Sequence, residues 1–325
     1  MQPYLILAKD ILENGTRQSN RTGIDAISLP GAMMKFDLRN GFPAMTTKKL
    51  AFRASVGETV GFCKGEHDSE EFKRLGCGFW DGNANKDGVD PFGNVVPNKW
   101  LTNSNRKGEN DLGRIYGVQW RDWRGRLLQR NEYPDDQYTT PVVFKKDSRG
   151  IDVYDNPPFN SSFEYESIDQ LQNVINTIKN DPTNRRIIMN AWRPDEFDQM
   201  ALPPCHVLYQ FIVNVEKNEL NLCMYQRSCD MFLGVPMNIT SASLILSIVA
   251  KLTGYTPAVL THFLADAHIY VNHLDQINLQ LSREPKALPK LVLSNTGWDI
   301  NTIEPTDIWL EGYDPHPAIP APMAV

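Results

Sequence analysis

The chain has 325 residues, of which 41% are hydrophobic and 22% charged. This balance is ordinary for a soluble globular protein with a sizeable core. A formal net charge of −6 argues against nucleic-acid-binding and membrane-surface proteins, which normally carry a clustered basic excess. The five cysteines include no Cys-x-x-Cys pair, so neither a disulfide framework nor a zinc site is indicated, and no metal is expected. Without a signal-like or membrane-length apolar run, we expect a cytoplasmic protein.

The first elements in chain order are a helix and a strand. Apolar residues recur at helical spacing over residues 4–14 and Gly15 follows, which predicts a short amphipathic helix. Residues 26–37 read as a strand. Further along, Ser167-Ile168-Asp169-Gln170 matches a capping box and predicts a helix that ends at Asp181-Pro182.

The second half of the chain contains a predicted central helix. Residues 240–253 are apolar nearly all round and are closed by Gly254, as in a buried helix. Residues 258–265 read as a buried strand. Two stretches without periodicity, 82–110 and 124–164, are predicted to be surface insertions. We therefore predict a single α+β domain over residues 1–325.

Cys205 and Arg227 form the most informative pair. Residues 207–215 alternate apolar and polar side chains, and the alternation resumes at residues 220–224 after a polar turn, which predicts a β-hairpin. Its open ends would bring Cys205-His206 close to Gln226-Arg227-Ser228. A nearby guanidinium could stabilise a thiolate, the nucleophilic form of cysteine. Taken singly, a small buried cysteine, a core histidine and a salt-bridge arginine remain the alternative interpretations.

Several separate motifs occur in one order along the chain. They are Asn20-Arg21-Thr22-Gly23, Thr46-Thr47-Lys48-Lys49, Asp111-Leu112-Gly113, Tyr116-Gly117, Gln119-Trp120-Arg121, Asn184-Arg185-Arg186, Leu202-Pro203-Pro204-Cys205-His206, Gln226-Arg227-Ser228-Cys229-Asp230, residues 232–239, residues 266–270 and residues 311–317. In this arrangement, which runs from Arg21 to Val325, the chain resembles the thymidylate synthase family.

The resemblance implies a fold and an activity. The fold would be a large mixed, mainly antiparallel sheet covered by helices, with one sheet face used to form a homodimer. The activity would be reductive methylation of dUMP to dTMP, with 5,10-methylenetetrahydrofolate as donor of the carbon and the hydride and dihydrofolate as second product. No nucleic acid and no membrane would be required.

The resemblance also implies residue roles. Cys205 would add to carbon 6 of uracil, with Glu58, Tyr116 and His206 managing proton transfers. The implied dUMP contacts are Arg21, Gln226, Arg227, Ser228, Asp230, Asn238, His268 and Tyr270, together with Arg185 and Arg186 from the partner subunit. The implied folate contacts are Trp80, Asp230, Ala324 and Val325.

Asn238 would identify the base, since its amide can donate to a uracil carbonyl and accept from the ring N–H. An aspartate there would point toward a cytosine nucleotide. His268 and Tyr270, two residues apart on an extended segment, would share one face and bind the sugar 3′-hydroxyl.

Some residues depart from the family pattern. Ala51, Gly61 and Asn83 replace residues expected near the folate, so the strength of folate binding is open. Arg114 replaces a proline and would contact a folate tail or a phosphate, or be exposed. Two alternative functions remain: a dUMP 5-hydroxymethylase, in which water intercepts the last step, and a non-catalytic relative, which should have a damaged site.

Overall fold

The computed structural model of the protein describes residues 1–20, 22–89, 93–131, 140–141, 144–146, 152–154, 161–294 and 297–322. Its helices are α1 Gln2–Asn14, α2 Phe52–Lys64, α3 Ser69–Arg74, α4 Asp81–Asn85, α5 Tyr116–Arg121, α6 Gln170–Asn180, α7 Gly234–Thr253 and α8 Leu274–Leu281. Its strands are β1 Thr16–Gln18, β2 Ala26–Asp37, β3 Gly88–Val89, β4 Val95–Val96, β5 Trp123–Asn131, β6 Thr140–Pro141, β7 Phe144–Lys146, β8 Asp152–Tyr154, β9 Ser161–Ile168, β10 Ile188–Asn190, β11 His206–Asn214, β12 Glu219–Asp230, β13 Thr256–Tyr270, β14 Lys290–Leu293 and β15 Ile308–Glu311.

The main sheet has six strands in the order β1-β2-β13-β12-β11-β10. Its neighbours pair antiparallel except β12 and β13, which run parallel and are joined through α7. A parallel pair needs a crossover of this kind, usually a helix. The predicted α+β class with a mixed sheet under helices is thus confirmed.

The helix α7 forms the centre of the core. It packs against α2, β12 and β13, and its residues from Ile239 to Ala250 are all buried. Gly254 ends it in the left-handed conformation at φ 82°, which glycine adopts without strain. Among the described residues α7 is the one helix apolar and long enough to span a membrane, and 78% of its most apolar 18-residue window is buried inside the protein.

The two faces of the sheet differ in what covers them. On one face Met34, Met224 and Leu264 are at most 1% exposed. On the other face Met33, Phe263, Tyr225 and Leu208 lie side by side across four strands, and the first three are 53%, 38% and 43% exposed. Successive strand residues point to opposite faces, so this second row, called the open face below, is apolar and uncovered in the single chain.

The predicted local elements are largely confirmed. α1, β2, the hairpin of β11 and β12, and the central helix form where they were expected. The predicted N-cap of α6 is wrong: Asp169, not Ser167, caps the helix by accepting from the backbone N–H of Gln172 at 2.8 Å. Ser167 instead belongs to β9, where it pairs with Arg124. Aspartate caps as well as serine does, and strand pairing keeps Ser167 out of the helix.

The two stretches predicted to be surface insertions contain regular structure. Within 82–110, β3 and β4 pair antiparallel. In the second stretch, β5 pairs antiparallel with β9 at seven registered positions, from Trp123 opposite Ile168 to Asn131 opposite Ser161. Single-domain organisation and the status of these stretches as insertions remain predictions.

Candidate active site

A cavity of 920 Å³ opens at the ends of β12 and β13. Its wall is built from β2, α2, α5, the loop before β11, the start of α7 and residue Ile319 near the C-terminus. Clefts of this size hold small ligands. The position results from topology: Asp230 and His268, paired across the parallel strands, both lie at this end of the sheet.

Cys205 lies in the wall and is partly exposed. Its backbone N–H donates to the Tyr116 hydroxyl at 2.6 Å, and its carbonyl accepts from the Arg227 N–H at 3.0 Å. The Arg227 side chain donates to the carbonyls of Pro203 and Pro204 at 3.0 and 2.9 Å. The predicted meeting of the hairpin ends is therefore confirmed, and Arg227 fixes the loop that presents the thiol.

Glu58 is the ionisable group from α2 that faces the cavity. Loss of solvation raises the pKa of its carboxyl to about 7, although the Trp80 indole N–H, donating at 3.0 Å, acts in the opposite direction. A carboxyl with a pKa near 7 is suited to proton transfer at neutral pH. The aromatic rings of Trp80 and Tyr116 lie 5.8 Å apart and form the apolar surround that causes the shift.

His206, which follows Cys205 in the chain, lines the cavity and is buried at 5% exposure. Burial lowers the pKa of its imidazole to about 4, against a smaller raising contribution from Asn238. Its Nδ1 lies 2.9 Å from the Tyr209 hydroxyl, and its Nε2 has no hydrogen-bond partner among the described residues. Burial also raises the pKa of Tyr116, so both groups can hydrogen-bond without carrying charge.

A chain of amides lies between β12 and α7. Gln226 Nε2 donates to the Ser228 carbonyl and to Asn238 Oδ1, both at 2.9 Å. All three residues line the cavity. Asn238 is in the second turn of α7, so the packing of this buried helix fixes its position.

His268 and Tyr270 share one face of β13, as predicted, and both line the cavity. The carboxyl oxygen Oδ2 of Asp266 lies 3.6 Å from His268 Nδ1, and Ser28 Oγ donates to the same carboxyl group. Burial lowers the pKa of His268, but the hydrogen bonds and charge of Asp266, together with the charge of Asp230, raise it by more, so the net shift is upward. No role was predicted for Asp266 or Ser28 from the sequence.

Lys48 is a third site residue for which no role was predicted from the sequence. It lines the cavity at 5% exposure, donates to the Phe232 carbonyl and lies 3.5 Å above the Phe232 ring. Burial lowers the pKa of this ammonium to about 8, against a raising effect of Asp230. The signal available in the sequence was the Thr46-Thr47-Lys48-Lys49 motif itself.

Three of the predicted site residues lie outside the described residues: Arg21, Ala324 and Val325. The chain just before the terminus does reach the cavity, since Ile319 lines it and the Pro322 carbonyl lies 2.7 Å from His273 Nε2. Arg185 and Arg186 are exposed and do not line the cavity of their own chain.

The residues that depart from the family pattern fall in different places. Ala51 and Asn83 line the cavity. Gly61 does not; it faces the buried ring of Phe72. Arg114 is not exposed, contrary to one of the three expectations: its side chain, 12% exposed, makes an ion pair with Glu196 at 2.6 Å. It does not line the cavity, and its contact with a folate tail or a phosphate remains a prediction. Within the described ranges, no group of three or more His, Cys, Asp and Glu side chains could hold a metal ion.

The fold and the cavity define an α+β enzyme that presents a cysteine to a small-molecule site. Comparison with known proteins gives the family. The thymidylate synthase family model matches residues 2–325. Thymidylate synthase of Pseudomonas putida is 46% identical, covering 100% of both chains. The enzyme of Pseudomonas syringae is 44% identical with the same coverage. Thymidylate synthase 1/2 of Encephalitozoon cuniculi is 40% identical over 99% of this chain and 96% of its own. The chain belongs to the thymidylate synthase family.

Proposed function

We propose that this protein is a thymidylate synthase that converts dUMP and 5,10-methylenetetrahydrofolate into dTMP and dihydrofolate. The observation that carries the proposal is the placement of Cys205, held between Tyr116 and Arg227 on the wall of a cavity of nucleotide size. Full-length similarity to thymidylate synthases supports it. The comparisons give no support to a hydroxymethylase, and an intact set of cavity residues disfavours a non-catalytic relative.

Cys205 is the proposed nucleophile. Its thiolate adds to carbon 6 of uracil, and the electron pair of the 5,6 double bond moves toward the carbonyl at carbon 4, so that carbon 5 becomes nucleophilic. Carbon 5 then attacks the methylene carbon of the folate, and the bond from that carbon to N10 breaks. Loss of the proton from carbon 5 breaks the remaining bond to N5 and leaves an exocyclic methylene group on the ring, with tetrahydrofolate as the leaving group. A hydride from tetrahydrofolate adds to the methylene carbon to form the methyl group; the electron pair expels the Cys205 thiolate and restores the 5,6 double bond, and the folate is left as dihydrofolate.

Glu58 is the proposed proton-transfer group. Its pKa near 7 lets it both accept and return a proton at neutral pH. Tyr116 and His206 assist as neutral hydrogen-bonding groups, because burial opposes charge on both. The neutral imidazole is consistent with donating to a developing oxyanion without adding a full charge.

The phosphate of dUMP is assigned to arginines and a hydroxyl. Arg227 and Ser228 lie on the cavity wall, and Arg21, in the family motif, is assigned to the same group. Guanidinium groups bind a phosphate dianion through paired N–H donors. Gln226 and Asp230 complete the nucleotide contacts, while His268 and Tyr270 take the sugar 3′-hydroxyl.

Arg185 and Arg186 are proposed to reach the site of the partner subunit in a homodimer. They precede β10, the edge strand of the main sheet, and are exposed in their own chain. The open face of Met33, Leu208, Tyr225 and Phe263 supplies an apolar surface for pairing, since contiguous apolar patches of this kind mark interfaces.

The folate is assigned to the wall near Trp80 and Asp230. Lys48, Ala51 and Asn83 also line the cavity. Ala324 and Val325 are proposed to close over the folate, because the preceding segment at Ile319 already borders the cavity. Closure would exclude water, which would otherwise compete with the hydride.

A cytoplasmic location is proposed as well. All five cysteines are free thiols, as is usual in a reducing compartment. Fractionation of cells that express the tagged protein would test this.

The first test is a reaction with dUMP and 5,10-methylenetetrahydrofolate, followed by dihydrofolate absorbance and by mass spectrometry of the nucleotide. Equal amounts of dTMP and dihydrofolate are expected; hydroxymethyl-dUMP with unoxidised folate would refute the proposal. Cys205→Ser should lose turnover and keep dUMP binding, whereas Cys63→Ser, a change at a cysteine of α2 that does not line the cavity, should keep both.

The dimer proposal has a separate test. A protein with Arg185→Ala and Arg186→Ala is mixed with the Cys205→Ser protein. Exchange of subunits should create one intact site per hybrid and restore part of the activity. No recovery, with exchange demonstrated by mass spectrometry, would exclude a shared site.

A further inference from the structure

A buried histidine, His262, lies behind the amides that face the cavity. It is on β13, 0% exposed, and its Nε2 lies 2.8 Å from Gln226 Oε1. Gln226 in turn contacts the Ser228 carbonyl and Asn238 Oδ1 at 2.9 Å. His262 does not line the cavity, so it touches no substrate and has no part in the function proposed above.

The Ser228 carbonyl determines the direction of each hydrogen bond in this series. A carbonyl oxygen can only accept, so the Gln226 atom that faces it must be the amide nitrogen. The Gln226 oxygen then faces His262 Nε2 and also only accepts. His262 Nε2 must therefore carry the proton.

The other side of the imidazole agrees with this assignment. His262 Nδ1 is buried and has no hydrogen-bond partner among the described residues. A buried N–H without a partner is rarer than a buried acceptor without one, which favours the proton on Nε2. Burial lowers the pKa of this imidazole to about 3, so the ring is neutral at physiological pH.

The arrangement determines which way the Asn238 amide points. The second hydrogen of Gln226 Nε2 donates to Asn238 Oδ1, so Asn238 keeps its oxygen on that side and its NH₂ group on the other. An amide in this orientation can accept from uracil N3–H and donate to the carbonyl at carbon 4. Cytosine needs the reverse orientation, which would bring the NH₂ groups of Asn238 and Gln226 together.

We propose that His262 is a positioning residue for base recognition: its Nε2–H holds Gln226, and Gln226 holds Asn238, in the one orientation that accepts uracil and rejects cytosine. The inference rests on the proposed function, since it assumes that Asn238 contacts the base. It extends that function to a residue remote from the nucleotide.

The test compares dUMP and dCMP affinities, measured by calorimetry with the full-length protein. His262→Phe retains a ring but removes the donor, and should reduce the preference for dUMP over dCMP by about tenfold or more. His262→Gln can present an N–H near the same place and should retain the preference within about threefold. Met224→Leu, a buried apolar neighbour in register with His262, should leave the ratio unchanged.

The outcomes separate the inference from the function. A wild-type protein without preference for dUMP would refute the proposed function itself. The role of His262 would be overturned if the wild type prefers dUMP and His262→Phe keeps that preference. It would also be overturned if His262→Phe weakens the binding of dUMP and of dCMP equally. A second measurement is made on the wild-type protein by ¹⁵N-histidine NMR, and the His262→Gln variant serves only to assign the signals of His262. The spectrum should show His262 as the neutral Nε2–H tautomer. An Nδ1–H tautomer or a charged ring would refute the inference.

Discussion

Gly61 gives the sharpest prediction about stability. A Cβ added at this position in α2 would lie 2.4 Å from Cε1 and 2.8 Å from Cδ1 of Phe72, against an ordinary contact of roughly 3.5–4.0 Å between carbons. Phe72 is 0% exposed and its ring lies 5.5 Å from that of Phe62, so it cannot move away freely. Gly61→Ala should therefore be destabilising even though alanine favours helices.

The size of the effect follows from a matched control. Gly82, in the short helix α4, has no atom within 4 Å of an added Cβ. Because alanine has the higher helix propensity, both substitutions should add up to about 1 kcal/mol to the free energy of unfolding. Overpacking should remove roughly 1–3 kcal/mol from it at Gly61 alone. For 325 residues unfolding as one unit, about 1 kcal/mol corresponds to ~1.5 °C in Tm. Gly61→Ala should then melt ~1.5–4.5 °C below Gly82→Ala.

Differential scanning fluorimetry measures this difference. Phe72→Leu, which removes ring atoms, should cancel most of the Gly61→Ala effect in the double variant, because the clash is with those atoms. Equal melting temperatures for Gly61→Ala and Gly82→Ala, or no coupling between positions 61 and 72, would show that the packing argument is wrong.

Three further predictions concern ionisable groups. Trp80→Phe removes the hydrogen bond that lowers the pKa of Glu58, so that pKa should rise above about 7 and the acidic limb of the kcat–pH profile should move to higher pH; an unmoved limb would contradict the role of Glu58. Asp266→Asn removes a group that raises the pKa of His268, so the imidazole should lose its proton at lower pH in an NMR titration. The wild type's advantage over this variant in free energy of unfolding should shrink as pH rises through the folded-state pKa of His268. A titration curve identical to that of the wild type would exclude the coupling. Glu196→Ala should destabilise by about 3–5 kcal/mol, because the lost carboxylate, 2% exposed, accepts from two arginines and a glutamine; a change below 1 kcal/mol in denaturant unfolding would refute this.

The sequence predicted the elements whose pattern is strong and local. α7 is apolar around its whole circumference, and β11 and β12 alternate cleanly, so helix and hairpin could be read from periodicity alone. The pairing of Cys205 with Arg227 followed from hairpin geometry, which needs no long-range information. The N-cap at Asp169 was missed because two acceptable capping residues stand two positions apart, and only the pairing of Ser167 in β9 decides between them.

The missed residues depend on contacts between distant segments. Lys48 reaches the Phe232 carbonyl across 184 positions, and Ser28 meets Asp266 across 238. Arg114 looked like a free cation because its partner Glu196 lies 82 positions away. No local pattern marks such pairs, since they arise only when β2, β13 and the segment before β11 are assembled.

The exposed arginines at positions 185 and 186 have a consequence for how the enzyme would respond to its own concentration. If each site needs two chains, isolated chains are inactive, and total turnover should rise with the square of chain concentration below the dissociation constant of the dimer. A nucleotide held by arginines from both chains binds the pair and not the single chain, so it shifts the equilibrium toward the pair by mass action. The substrate would then promote the assembly of the enzyme that consumes it.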